Sequence, residues 1–271
     1  MNNLIRTEWL KIRKYNAFWW IMGVTALAYP GINYLFYLGY RSLTGNETQA
    51  AKLATLLVGN PFTFPEAWHT IAYFSSWFLF IPSVLVIMFI SNEFAYKTQR
   101  QNIIDGWSRN QFMSSKLIDV LITSLIITLF YVVVTIIWAT SNFPEGKGEI
   151  FSQVYYVGLF ALQTFAQLSI AFLIAYLVKK SFLSLGIFLF YFLILEPISV
   201  ILFREFVNDI GAFMPLEISD RLIPPPAFMR HINAENYKHS LTEIQPHILY
   251  TIALTAIIWT ICFRVNSKRN L

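Results

Sequence analysis

The sequence predicts an all-α membrane protein: six transmembrane helices, an N-terminal interfacial elbow helix and a cytoplasmic connector helix. Three observations predict it. Of the 271 residues, 56% are hydrophobic and 13% charged, against about 25% charged in an average soluble domain. Charge-free apolar runs recur at the length a bilayer needs, about 20 helical residues at about 1.5 Å each for a core of about 30 Å. Those runs do not alternate apolar and polar residues, as the strands of a membrane β-barrel would.

Residues 1–14 carry Arg6, Glu8, Lys11, Arg13 and Lys14, with Ile5, Trp9 and Ile12 at helical spacing. They read as an amphipathic elbow helix in the interface or as a basic flank that fixes orientation, and not as a cleavable leader. Residues 15–40 hold no Asp, Glu, Lys or Arg. They open on Tyr15, Phe18, Trp19 and Trp20, a belt suited to the interface, and predict span one over 17–40. The outward loop 41–67 contains a helical pattern at 49–58, then the breakers Asn60, Pro61 and Pro65. Span two is expected over 68–91. Within it, Ser76 and Ser83 share a face of a continuous helix and line a route or pack against a neighbouring span.

The polar connector 92–116 follows. Charge-free runs at 120–144 and 150–178 predict span three over 117–140 and span four over 152–178. After Lys179 and Lys180 comes span five, over 182–203, whose one ionisable residue is Glu196. It precedes Pro197, which lacks a donor and frees the carbonyl of Leu193. Two readings stand: a kink or re-entrant turn that lines a cavity, with Glu196 facing it, or a span ending near Leu195 with Glu196 at the interface. The outward loop 204–244 begins helically at 204–210, then breaks at Gly211, at Pro215 and at Pro224-Pro225-Pro226. Span six is expected over 245–263 and contains Cys262, the single cysteine, so no disulfide framework exists. No stretch outside the spans can build a second core, so residues 1–271 read as a single transmembrane domain.

Six spans put both termini on one side. That side, with the connector and the Lys179-Lys180 turn, holds 13 of the 20 Lys and Arg residues. The positive-inside rule makes it cytoplasmic. The net charge of +5 reflects this sorting and not a nucleic-acid footprint.

The connector carries Glu93, Lys97, Arg100, Asp105, Arg109 and Lys116. Burying six charges in lipid would cost on the order of 15–20 kcal/mol, so it lies outside the hydrocarbon. Ile103, Ile104 and Trp107 form a one-sided apolar stripe. Gly106 sits where the backbone can bend, and Ser108 suits the N-cap of a helix running through Phe112. The pattern is a short helical hairpin with an apolar ridge rimmed by charge, the anatomy of a protein-docking knob.

Glu93, Thr98, Arg100, Gly106, Ser108, Arg109 and Lys116 together resemble a family motif: a span ending in Glu, Thr-x-Arg, Gly-x-Ser-Arg, and a Lys opening the next span. The chain resembles permease subunits of bacterial ATP-binding-cassette (ABC) exporters. More narrowly, it resembles the six-span type 2 group that includes lantibiotic and bacitracin self-protection permeases. Thr7 to Lys11 resembles that family's elbow helix. Members often carry Gly before the Thr and Pro before the Ser-Arg pair, where this chain has Lys97 and Trp107.

The resemblance implies a coupling helix that docks on a cytoplasmic ATPase, through Glu93, Thr98, Arg100, Ile103, Gly106, Trp107, Ser108, Arg109 and Lys116. It implies two ATPase subunits, a second permease copy as a homodimer, ATP and Mg on the partner, and a bacterial cytoplasmic membrane. The expected cargo is amphipathic or lipid-like, moved outward past a cavity for which Glu196, Pro197, Ser76 and Ser83 are candidates.

This chain has no nucleotide loop or hydrolase motif of its own. Its one Gly-Lys pair, Gly146-Lys147, has Ser141 in place of the first Walker glycine and Gly148 where Ser or Thr is required. His231, His239 and His247 recur at intervals that do not share a helical face, which makes them surface or capping residues and not metal ligands. Rival readings are an ATPase-coupled force transmitter acting on an extracytoplasmic protein at the outward loops, a scaffold or receptor without an ATPase, and a membrane-embedded enzyme.

Overall fold

The structure, a computed structural model, describes residue 10 and residues 13–44, 60–142, 150–206, 209–226 and 234–268. The described residues form helices and turns and no strand. The elbow expected over 1–14 lies outside the described residues except for Leu10, Arg13 and Lys14. Residues 45–59 of the first outward loop, Gly146-Lys147 and His231 also lie outside them.

Helix α1 spans Asn16–Thr44 with Pro30 inside it. Asn33 Nδ2 donates to Tyr29 O (2.8 Å) and to Ser75 Oγ (3.3 Å), which ties this helix to the next span. Two helices then stand where one was expected: α2, Glu66–Ser76, and α3, Phe80–Ala95. They meet at 51° across a short break. The cause is local. Pro82 has no N–H for the carbonyl of Phe78, and its ring crowds that carbonyl. The chain turns tightly instead, with Phe78 N bonded to Ser75 O and Ile81 N to Phe78 O. Ser76 and Ser83 therefore lie on either side of the break and do not share the face of one helix.

Helix α4 (Thr98–Ile104) is short, and α5 (Arg109–Asn142) runs for 34 residues. At about 1.5 Å per residue α5 is about 51 Å long, well beyond a bilayer core. Helix α6 (Tyr155–Val178) is apolar all round, as a helix surrounded by protein can be. It is the axis of the bundle and packs against α2, α3, α5 and every later α-helix except α8.

Helix α7 (Ser181–Phe190) continues through a π-helical turn, Tyr191–Leu195, into α8 (Glu196–Phe206). The amide of Glu196 bonds back to Tyr191 O, five residues earlier. The extra residue in that turn accommodates Pro197. The helix neither ends near Leu195 nor turns back there: it bulges and goes on. A 3-10 turn, Asp209–Phe213, then folds against α8. Gly211 makes this possible, since a Cβ there would stand 3.1 Å from Val200 Cα. Helix α9 (Pro215–Asp220) follows, and α10 (Ala234–Lys268) closes the bundle.

Six spans result if α2 and α3 count as one bent span. Two apolar cores join them. One packs Phe18, Tyr29, Trp68, Tyr131 and Phe160 between spans one to four. The other packs Ile90, Met113, Phe172, Phe188 and Trp259 between spans two to six.

Candidate functional site

Two regions gather polar chemistry, one at each end of the bundle. The first lies at the end holding Tyr15, Asn92 and Ser267, which we call the terminal end. Here α3 stops at Ala95, and Lys97 turns the chain with a left-handed backbone (φ 55°). Helix α4 crosses the end of the bundle. Gly106, at φ 98°, makes the second turn, in a region that L side chains adopt at a cost. Ser108 Oγ accepts the amide of Gln111 (3.2 Å), and Gln111 Oε1 accepts the amide of Ser108 (2.8 Å). This reciprocal cap starts α5.

The underside of this connector is locked. Gln99 Nε2 donates to Asn266 Oδ1 (3.1 Å), and Asn266 Nδ2 donates to Arg109 O (2.6 Å). Tyr176 Oη donates to the same Asn266 oxygen (3.1 Å), and Arg109 Nη1 donates to Ser267 O (2.5 Å). Asn266 is 2% exposed. One amide side chain thus joins the connector to spans four and six. Beside it, Lys116 Nζ contacts Glu93 Oε1 at 2.6 Å and Asp119 Oδ2 at 3.1 Å, with Lys116 and Glu93 buried and Asp119 half-buried. The opposite face of the connector is open: Tyr96 and Ile104 are each 76% exposed, and Arg100, Gln101 and Asp105 are exposed beside them.

The second region is at the far end. A cavity of about 870 Å³ opens between spans two, five and six and α9. Both helix irregularities border it: Ser76 and Trp77 from the break in span two, and Phe192, Glu196 and Pro197 from the bulge in span five. Glu196 is 2% exposed. Its Oε1 accepts the amides of Leu216 (2.6 Å) and Glu217 (2.8 Å), the first turn of α9, and Oε2 has no hydrogen-bond partner. At the other end of α9, Asp220 Oδ1 accepts from Gln163 Nε2 (2.8 Å) and Gln167 Nε2 (2.7 Å). Those glutamines lie eight and twelve residues inside α6, or about 12–18 Å along it. Helix α9 therefore lies alongside α6, about two to three turns in from its first residue.

The cavity reaches Asp220, while protein crowds it on its other sides. That crowding, and next the Glu217 carboxylate, push its carboxyl up to about 7. Arg221 is engaged by Glu217 (2.9 Å) and by both oxygens of Glu243 (2.9 and 3.0 Å).

A family model described as ABC-2 family transporter protein matches residues 4–195. The chain belongs to the ABC-2 transporter family. No curated protein and no solved structure matches it. The chain is a permease, the membrane subunit of an ABC transporter, and the family implies an ATPase partner and a dimeric arrangement. The match stops one residue short of Glu196, so α8, α9 and span six lie beyond it.

The residues expected to dock an ATPase fall into two groups in the permease. Arg100, Gly106 and Ser108 are on the open face of the connector, with Thr98, Ile103, Trp107 and Arg109 half-buried at its margin. Glu93 and Lys116 are a correction: they face each other in the interior, because two opposite charges at helix ends satisfy one another there. Thr98 Oγ1 donates to Glu93 O (3.3 Å) and ties the turn to this pair.

Of the candidate cavity residues, Ser76, Glu196 and Pro197 border the cavity and Ser83 does not. Ser83 is fully buried, with its hydroxyl bonded to Leu79 O (2.8 Å). His247 is buried with Nδ1 3.1 Å from Ile218 O, and His239 is exposed near Glu243. Sequence reasoning missed Asn266, Gln99, Asp119, Gln163, Gln167 and Asp220. A signal existed for the glutamines, two amides one turn apart in an apolar span. Asn266 gave none, since its partners are distant in sequence.

Proposed function

We propose that this permease exports an amphipathic or lipid-like cargo from a bacterial cytoplasm, driven by ATP hydrolysed on two partner ATPase subunits. The terminal end faces the cytoplasm, a reading supported by its 13 of 20 basic residues. Two copies of the chain form the path, and Mg-bound ATP resides on the partners. The connector is the coupling helix.

One observation carries this reading. The connector exposes Ile104 at 76% amid charges while its other side is clamped to spans four and six through Asn266. A free solvated loop needs no such clamp, whereas a lever does. Force applied to α4 passes directly into two spans, and span six borders the far cavity. The finer resemblance to self-protection permeases supports an amphipathic cargo.

The test is co-purification with the ATPase in mild detergent. Ile104→Glu places a charge on the exposed ridge without touching the clamp. It is expected to release the ATPase while the melting temperature of the permease holds. Wild-type permease that purifies with no ATPase would overturn the reading.

A further inference from the structure

We propose that the far-end cavity binds an organic cation bearing apolar groups, with Glu196 and Asp220 supplying the negative charge and Tyr73, Trp77 and Phe192 the wall. This deepens the transport reading by naming the class of cargo. Only the word cargo rests on that reading, because binding itself needs no ATPase.

The argument starts from charge. Arg221 is taken up by Glu217 and Glu243 at hydrogen-bond distance. Glu196 and Asp220 have only neutral donors: two backbone amides and the Tyr191 hydroxyl for one, two glutamine amides for the other. Neither has a cation beside it among the described residues. Ionisable groups at membrane depth are costly and mark ligand pathways. Asp220 is the sharpest case, an exposed carboxylate at the border of an open cavity with no cation paired to it among the described residues. A cationic guest would supply one.

The wall completes the picture. Tyr73, Trp77 and Phe192 present aromatic surface to the same space, and ring faces attract organic cations by about 0.5–2 kcal/mol each. The volume of about 870 Å³ falls within the range of about 300–1,000 Å³ that drug-sized ligands occupy. An inorganic cation would leave the aromatic wall without a role, and an anion would meet the carboxylates.

The probe is tetraphenylphosphonium, with tetraphenylborate as the anion of the same shape. Full-length permease in lipid nanodiscs, without ATPase, is titrated by equilibrium dialysis. Saturable binding of the cation alone is expected, weakened by about tenfold, or about 1.4 kcal/mol, in Asp220→Asn and in Glu196→Gln. Both substitutions keep the oxygen that accepts the existing hydrogen bonds, so the fold is retained. Trp77→Leu, at a half-exposed position, is expected to weaken binding without touching either carboxyl.

Absence of saturable cation binding, equal binding of tetraphenylborate, or wild-type affinity in both carboxyl variants would each overturn the proposal. Cation binding alongside failed ATPase co-purification would retain the cavity and sink the docking reading. The reverse pattern would sink the cavity alone.

Discussion

At the terminal end, Lys116 stands between Glu93 and Asp119, and the polar atoms under the connector meet on Asn266. At the far end, Glu196 and Asp220 are held by neutral donors, and among the described residues no cation pairs with them. At the terminal end the charges lie where two spans meet the connector, and at the far end they lie beside two interrupted spans. Neutralised charge makes a rigid joint, because each group fixes the next. Uncompensated charge keeps a cavity wet and leaves interaction energy for a guest. The contrast gives each end a different expected response to the same kind of substitution.

The largest effect is expected from Lys116→Met. It removes Lys116 from the buried Glu93 and the half-buried Asp119, and breaking a buried pair costs about 3–5 kcal/mol. A large fall in the thermal unfolding temperature of the detergent-solubilised protein checks this. Glu196→Gln at the far end removes a charge that no cation among the described residues pairs with, so its unfolding temperature should hold or rise. Equal losses in the two variants would erase the distinction between the ends.

Next comes Asn266→Ala. It strands the Gln99 amide, the Tyr176 hydroxyl and the Arg109 carbonyl, at about 1–3 kcal/mol for buried groups left unsatisfied. Hydrogen exchange should speed up in Thr98–Ile104 and leave α9 unchanged. Exchange that rose equally at both ends would mean that Asn266 is a general packing residue and not the joint of the connector.

The two turns of the connector sharpen the same point on a smaller scale. Gly106→Val forces a branched side chain into φ 98°, a strain of about 1–2 kcal/mol, although open space surrounds the position. Lys97→Gly works the other way, since Lys97 already sits at φ 55°. Glycine relieves that cost at the price of unfolded-state entropy, for a net gain of up to about 1 kcal/mol. Opposite shifts in unfolding temperature are expected.

These turns also show why part of the molecule was legible in the sequence. A left-handed turn needs a residue that tolerates it, and Gly106 announces one, as Ser108 announces a cap. The helical class follows from apolar runs, because lipid demands that every backbone group be satisfied within the helix. The break in span two was not legible. Pro82 was visible, but a proline in a span can kink it or be absorbed, and the packing of α2 and α3 decides which. Asn266 and Asp220 were invisible for a different reason. Their partners lie 90 to 167 residues away for the first and 53 to 57 for the second, and no local pattern encodes such pairings. Lys116 misled because a lysine at a span end reads as an interfacial charge until the facing glutamate is seen.

The smallest expected effect concerns Asp220 and pH. Its carboxyl sits near 7 in the folded chain against an ordinary 3.8, so between those values the folded state holds a proton that the unfolded state has lost. Stability is therefore greatest below about pH 4, falls as pH rises to about 7, and is flat above. The groups facing Asp220 across the cavity are Glu196, Glu217, Glu243, Arg204, Arg221 and His239. Some of these titrate as well, so the informative quantity is the difference between wild type and Asp220→Asn across pH 4–8. That difference should favour the variant above pH 7 and vanish or reverse near pH 4, read as unfolding temperature in matched buffers. Asp220 is exposed to the cavity, so solvent screening keeps its contribution to stability small. Cation binding should follow the opposite course, strengthening in wild type as pH rises through 7 and losing most of that rise in the variant. A carboxylate that lowers stability over the same pH range in which it strengthens binding is what separates this end of the permease from the paired charges at the other. If the two profiles failed to mirror one another, Asp220 would be a structural polar residue with no ligand to serve.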